Sequence, residues 1–342
     1  MLFTLFMSFT LIAVVGSLLY YRTLIKPPPR NELIILFKNN KDLPSMLSRL
    51  PSILANAIFK SQGKNCNGFH AFPQISISIG PSLIDPKHVS AYKSVCCLKE
   101  KENCENEVAP ICYPVVNIFR FQPLVFSLPC FPFSPFGIVY IRTSICQNHP
   151  ILVGSKIKYT TSVKNARETE RGWEIDFNVC ALTENGDTVW KCVQTMLSRK
   201  RQQKVQRKSH HKDHSDECLK TQNSAIFSVP ANIGLKYAAV TGDYNPHHIC
   251  RLGAIMFGFP RKIAHGQWSL ESCLGQLQKS TGIVIQPPYK VECAFKLPVF
   301  LPSDVRLIWS KKDNTTDFSL WSADGKLPHL TASLETRNVP YF

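Results

Sequence analysis

Asp243 and His248 lie five positions apart, separated by Tyr244, Asn245, Pro246 and His247. Asn-Pro favours a turn, because the proline ring disfavours helical backbone at the residue before it. The carboxylate and the imidazole are therefore expected on one short non-helical segment. Such a pair can hold a single water between them, each accepting or supplying a proton, and histidine titrates close enough to neutrality to do either. Further on, Ile263-Ala264-His265-Gly266 opens an apolar run with helical spacing through Trp268, Leu270, Leu274 and Leu277. A helix N-terminus presents unpaired N–H groups and the positive end of its dipole, and glycine lets another group approach. The N–H at Gly266 can thus face an oxygen on which negative charge builds. Asp243, His248 and Gly266 form the candidate catalytic set, with Asn245 fixing the turn or orienting the pair. Tyr244, Ala264, His265 and Trp268 are candidates for the substrate-facing wall. For His265, helix capping or packing is the plainer reading; for His247, exposure to solvent.

The elements that must position these groups are legible in outline. Ile75, Ile77 and Ile79 alternate with Ser76 and Ser78, the period of a strand. The segment from Gly80 to Cys97 and the segment from Asn223 to Asp243 share an order: a strand, a proline, a helix, then Tyr-x-x-Val (Tyr92 to Val95, Tyr237 to Val240). Asn185-Gly186 and Asp324-Gly325 each fall between strand-like runs and predict hairpin turns. One unit of roughly 130 residues therefore occurs twice. The first copy has Cys96-Cys97-Leu98-Lys99 where the second has its Asp and His, and its later apolar run, Pro114 to Pro135, is broken by prolines, so no long helix is expected there.

The second copy reads Gly242-Asp243-Tyr244-Asn245-Pro246-His247-His248, then Gly258-Phe259-Pro260-Arg261-Lys262-Ile263-Ala264-His265-Gly266. This composite resembles the MaoC-like, R-specific enoyl-CoA hydratase (hydratase 2) family. It departs from the family pattern at His247, usually apolar, and at Gln267, often Met or Leu. The resemblance covers about residues 74–340. It implies an α+β double hot-dog fold, two antiparallel sheets each wrapping a central helix. It also implies addition of water to a trans-2-enoyl thioester to give the (3R)-3-hydroxyacyl thioester, or the reverse dehydration. Asp243 and His248 would hold the water and Gly266 would be the oxyanion donor; no cofactor or metal is expected. The substrate partner would be an acyl-CoA or acyl carrier protein thioester. The first half would have lost its chemistry and opened room for the acyl chain, with Ser134 bordering that space. Two other readings compete: a non-catalytic acyl-thioester scaffold and a hot-dog thioesterase. The Asp-x-Asn-Pro-x-His segment favours the hydratase.

The domain reading is residues 1–22 as anchor, 23–73 as juxtamembrane helical segment and linker, 74–198 as first hot-dog, 199–221 as basic linker and 222–342 as catalytic hot-dog. Residues 2–21 carry no charge and are long enough to span a bilayer, with Arg22, Lys26 and Arg30 following. An uncleaved single-pass anchor is preferred over a signal peptide, with the body facing the cytosol at the endoplasmic reticulum or mitochondrion. Residues 31–60 are expected to be an amphipathic helical segment and 61–73 a loop. The net charge of +16 fits an anionic substrate carrier as well as it fits a membrane or nucleic acid. The run Ser198 to His214 contains seven lysines and arginines before Asp213. It reads as a solvated linker, with lipid headgroups second and nucleic acid last; no nucleic-acid partner is expected, and a homodimer is left open. The 13 cysteines follow no disulfide or CxxC pattern. Zinc at Cys96, Cys97, Cys104 and Cys112 is weakly supported, and His210, His211 and His214 are weaker still.

Overall fold

The computed structural model describes residues 32–60, 73–98, 106–200, 223–337 and 339–342. The expected anchor, the basic run beyond Lys200 and Cys104 lie outside the described residues. No helix among the described residues is long and apolar enough to cross a membrane.

Eleven strands make one sheet: β1 Glu32–Phe37, β2 Gln74–Leu83, β3 Ile138–Gln147, β4 Lys156–Thr169, β5 Gly172–Leu182, β6 Thr188–Arg199, β7 Asn223–Val229, β8 Tyr289–Phe295, β9 Ser303–Lys312, β10 Thr315–Ser322 and β11 Pro328–Thr336. Their order is β1-β2-β4-β5-β6-β3-β8-β11-β10-β9-β7. Each half of the sheet has the same internal order, first-third-fourth-fifth-second, and this is the repeat expected from sequence. The expectation of two separate sheets is corrected. β3 pairs antiparallel with β8, from Arg142 opposite Ala294 to Gln147 opposite Tyr289. Each half would otherwise end on an edge of unpaired N–H and C=O groups, and the pairing removes both edges.

Both predicted hairpins are present, joining β5 to β6 and β10 to β11, with Gly186 and Gly325 at φ 99 and 76. β1 is a correction, because residues 31–60 are not one helical segment. Glu-Leu-Ile-Ile-Leu-Phe forms an edge strand running parallel to β2, and only Met46–Phe59, α1, is an α-helix. A short apolar run fits either period, and here two β-branched isoleucines and a free sheet edge favour the strand.

Helix α2, Pro86–Val95, follows β2, and α5, Ile233–Thr241, follows β7. In the first half the proline-broken run yields only α3, Tyr113–Asn117, and α4, Phe121–Ser127. In the second half a one-turn helix α6, Pro246–Ile249, and a short α7, Arg251–Met256, lead to α8, Gly266–Thr281. Helix α8 is enclosed: every residue from Gln267 to Gly275 is buried, and Leu277 with them. It packs on the first half as well as its own. The Trp268 indole donates to the Val95 carbonyl at 2.9 Å, and the Glu271 carboxylate accepts from the Cys112 N–H at 2.8 Å. Buried apolar residues of both halves form one continuous core.

Candidate active site

Helix α5 ends where Gly242 adopts φ 79 and its N–H closes on the Ala238 carbonyl at 2.8 Å. This left-handed glycine cap turns the chain sharply and delivers Asp243. The Asp243 N–H donates to Thr241 Oγ1 at 3.2 Å. Asn245 is extended, with ψ 127, as its proline neighbour requires. Its side-chain amide donates to Asp243 Oδ1 at 2.6 Å and its backbone N–H to the same oxygen at 3.3 Å. Asn245 therefore orients the carboxylate, as expected, and leaves Oδ2 for other partners.

His248 is on helical rather than irregular backbone, since Pro246 starts the single turn of α6. The ring nitrogen Nδ1 lies 2.8 Å from the Ile263 carbonyl. A carbonyl can only accept, so Nδ1 carries the proton and Nε2 keeps the lone pair. Ile263 is itself pinned, its N–H donating to the His247 carbonyl at 3.2 Å, while the Ala264 N–H donates to Val299 O at 2.9 Å. The Asp-bearing turn and the segment before α8 are thus tied into one frame.

His265 occupies the N-cap position of α8 without a side-chain cap bond. Its ring stacks on His248, with centroids 3.6 Å apart and planes 24° from parallel. Its Nε2 donates to the Asp243 carbonyl oxygen at 3.1 Å and lies 3.8 Å from Asp243 Oδ2. One donor or acceptor atom from each of Asp243, His248 and His265 falls within 4.8 Å of the other two, a spacing that a single water can bridge. Gly266, next in the chain after His265, begins α8.

The electrostatics follow from burial. Desolvation pushes the Asp243 carboxyl up to about 6, against the pull of His247 and the Asn245 hydrogen bonds. Burial holds His265 down at about 4 and His247 at about 4. His248 is held well below its ordinary value by burial first and then by His265 and His247. At neutral pH the site is a carboxylate beside neutral imidazoles.

Several expected placements change. Tyr244 is exposed. Trp268 is in the core and ties α8 to Val95. Ala264 is buried beside the site. His247 does not simply face solvent: its ring lies 4.1 Å from His248 and 4.9 Å from Phe257. Ser134 is buried, with its hydroxyl donating to the Ala57 carbonyl of α1 at 3.3 Å.

Other contributors were not singled out from sequence. His88, on α2 of the first half, donates from Nε2 to the Val240 carbonyl and accepts on Nδ1 from the Tyr113 hydroxyl, both at 2.7 Å. It clamps the end of the helix that carries Asp243. Tyr237 packs on His265 at 4.7 Å. Gln267 is buried, and its Oε1 accepts from the Tyr140 hydroxyl at 3.1 Å. The departure at Gln267 was a visible signal for that contact; His88 had none, because its partner is 152 residues away. A hollow of about 670 Å³ on the outside of the sheet, lined by Arg142, Glu292, Trp309 and Asp317 among others, includes none of these residues.

Comparison with known proteins agrees with this geometry. Residues 202–328 match the MaoC like domain. Over 267 residues, 77% of this chain and 89% of the relative, the sequence is 31% identical to 3-hydroxyacyl-thioester dehydratase X of Mycobacterium tuberculosis. The crystal structure of HtdX from that organism superposes with a TM-score of 0.63 at 27% identity, covering 77% of this chain and 100% of that one. A second M. tuberculosis protein, described as having a double hot-dog fold, shares the fold at 10% identity and a TM-score of 0.50, over 81% of this chain and 99% of its own. The architecture is therefore an α+β double hot-dog. By the domain match and the 31% identity to 3-hydroxyacyl-thioester dehydratase X over most of both chains, the chain belongs to the MaoC-like dehydratase family and is a hydro-lyase.

Proposed function

We propose that the protein catalyses reversible hydration of trans-2-enoyl-CoA to (3R)-3-hydroxyacyl-CoA. The observation that carries the reading is the fixed tautomer of His248, whose Nδ1 is committed to the Ile263 carbonyl so that Nε2 is left as base. In hydration, Asp243 Oδ2 and His248 Nε2 hold one water. One of the two takes a water proton while the oxygen bonds to C3 of the enoyl group. The C2=C3 electrons move toward the thioester carbonyl, whose oxygen accepts from the Gly266 N–H at the start of α8. The member that took the proton then gives it to C2, which restores the carboxylate and the neutral imidazole. Water and proton reach the same face, so addition is syn. The dehydration runs the same steps backwards.

On this reading residues 222–342 hold the chemistry. Residues 74–198 supply His88 and the buried surface against α8, and receive the acyl tail. Residues 1–22 anchor the body on the cytosolic side of a membrane such as the endoplasmic reticulum.

The test is hydration of crotonyl-CoA, followed by loss of enoyl absorbance, with the chirality of the product determined. Asp243→Asn and His248→Ala should each lower kcat by about 10²–10⁴-fold, the usual size of a general acid–base contribution. Because both act on one water, the double variant should be little worse than the poorer single one. Near-normal hydration in both single variants would remove the dyad from the mechanism.

A further inference from the structure

Helix α1 is built the wrong way round for a helix that packs on a protein. Its one fully buried residue is Asn56, whose amide donates to the Phe126 carbonyl at 2.8 Å and the Leu128 carbonyl at 3.2 Å. Lys60, just past its end, donates to the carbonyls of Leu128 and Pro129 at 3.1 Å each. Polar groups thus face inward. On the opposite side, Leu47, Leu50, Leu54 and Ile58 follow helical spacing and are all exposed, Leu47 at 77% and Ile58 at 71%. Next to Ile58, Phe59 is exposed as well. A helix with a polar inner face and an apolar outer stripe is suited to an apolar phase outside the protein.

A second surface of the same kind borders the active site. On α7, Leu252, Ile255 and Met256 are exposed at 70%, 52% and 66%. A chain of contacts beneath the surface links the two helices. Ser134 donates to Ala57 near the C-terminal end of α1. Two residues on, Phe136 stacks on Phe257 at the C-terminal end of α7, with centroids 5.0 Å apart and planes 10° from parallel. Phe257 in turn lies 4.9 Å from His247, the neighbour of the dyad histidine.

Charge identifies the occupant. From Leu43 to Ile84 the sequence has no Asp or Glu but has Arg49, Lys60 and Lys64. From Tyr244 to Leu270 it again has none but has Arg251, Arg261 and Lys262. Arg251 and Arg261 are exposed around α7. Exposed apolar side chains beside the exposed Arg251 and Arg261, in stretches of sequence with no acidic residue, match the boundary between acyl chains and anionic headgroups. The uncharged run of residues 2–21 ends ten residues before β1, so it would bring the chain to a bilayer close to α1.

We propose that the exposed apolar faces of α1 and α7 both seat on an anionic lipid bilayer. The mouth of the dyad site then opens toward the lipid and takes acyl thioesters from it. Only this last consequence rests on the proposed hydratase reading; the docking itself does not.

The test places tryptophan in the full-length protein, reconstituted into phosphatidylserine–phosphatidylcholine vesicles with brominated acyl chains. Leu54→Trp and Ile255→Trp report the two faces, with Leu47→Trp and Leu252→Trp as second reporters should either fail to fold. Thr331→Trp, exposed on β11, is the control. Parental crotonyl-CoA turnover, or a parental melt if the chain proves inactive, confirms the fold. The expected result is loss of the added emission at positions 54 and 255 and none at 331, with weaker quenching when phosphatidylserine is omitted. Quenching at only one of the two helices would overturn the proposal that both faces seat on the bilayer. A blue-shifted but unquenched signal would mean that residues 2–21 or a second copy covers the face, and would overturn the lipid assignment. Equal quenching in purely zwitterionic vesicles would overturn the anionic requirement. Quenching is read without catalysis, so its failure is separable from failure of the hydratase reading.

Discussion

The state of each group in the dyad is set by what surrounds it rather than by its residue type. Burial raises Asp243 to about 6 while it lowers the adjacent histidines, so the carboxylate and the neutral imidazole coexist above that pH. If hydration needs the ionised carboxylate, kcat/KM should rise with pH through about 6 and level off above it. The same shift acts on stability. Folded Asp243 holds its proton more tightly than the unfolded chain does, so the cost is absent below the ordinary 3.8 and grows as pH rises to about 6. At neutral pH it reaches at most about 3 kcal/mol, at about 1.4 kcal/mol per pH unit. Asp243→Asn should therefore melt higher than the parent at pH 7, with the difference shrinking toward pH 4; a lower melt at pH 7 would show the carboxylate to be structural. The lowered histidines carry the opposite sign, since the unfolded chain binds protons that they refuse. Their contribution is lost as pH falls from 6.5 toward 4. At this scale the sequence was informative for Asp243, Asn245 and His248, because they are neighbours in one turn. The stacking of His265 on His248 was not visible, because it requires α8 to return over the turn.

Among the elements, α8 begins with a glycine that has little room for a side chain. Gly266 needs no unusual backbone; it needs space. A Cβ there would come within 3.3 Å of the Phe295 ring, which is held 4.7 Å from Tyr140. Gly266→Ala is favourable for helix propensity, so its melt should stay close to the parent's. Crowding of the N–H should lower kcat on crotonyl-CoA by about tenfold or more, roughly 1.4 kcal/mol of barrier. An unchanged kcat would remove Gly266 from the oxyanion role. The start of this helix, both hairpins and β2 were legible, since a glycine, an Asn-Gly or Asp-Gly pair and a strict alternation each mark one conformation. β1 was misread because its pattern is consistent with a strand or a helix, and the deciding partner, β2, lies some forty residues away. The proline-broken run in the first half did foretell short helices, and α3 and α4 are what it forms.

The whole molecule is two repeats sewn into one sheet, and the sequence showed the repeat but not the seam. Nothing local in β3 or β8 announces that they pair. Nor do the contacts of His88 with Val240, Trp268 with Val95 and Glu271 with Cys112 leave any local trace. All of them cross between residues before Lys200 and residues after Asn223. These contacts between the described halves do not run through the peptide that links them. A protease site placed within residues 201–222 should yield two fragments that co-elute, stay folded together and hydrate crotonyl-CoA at close to the uncut rate. Fragments that separate without denaturant would show that the seam is too weak alone. If they hold, the two halves need not be translated as one polypeptide, and separately expressed pieces should complement each other. Fusion then fixes stoichiometry: it guarantees one clamping half for every catalytic half, and prevents two catalytic halves from pairing along the same strand edge.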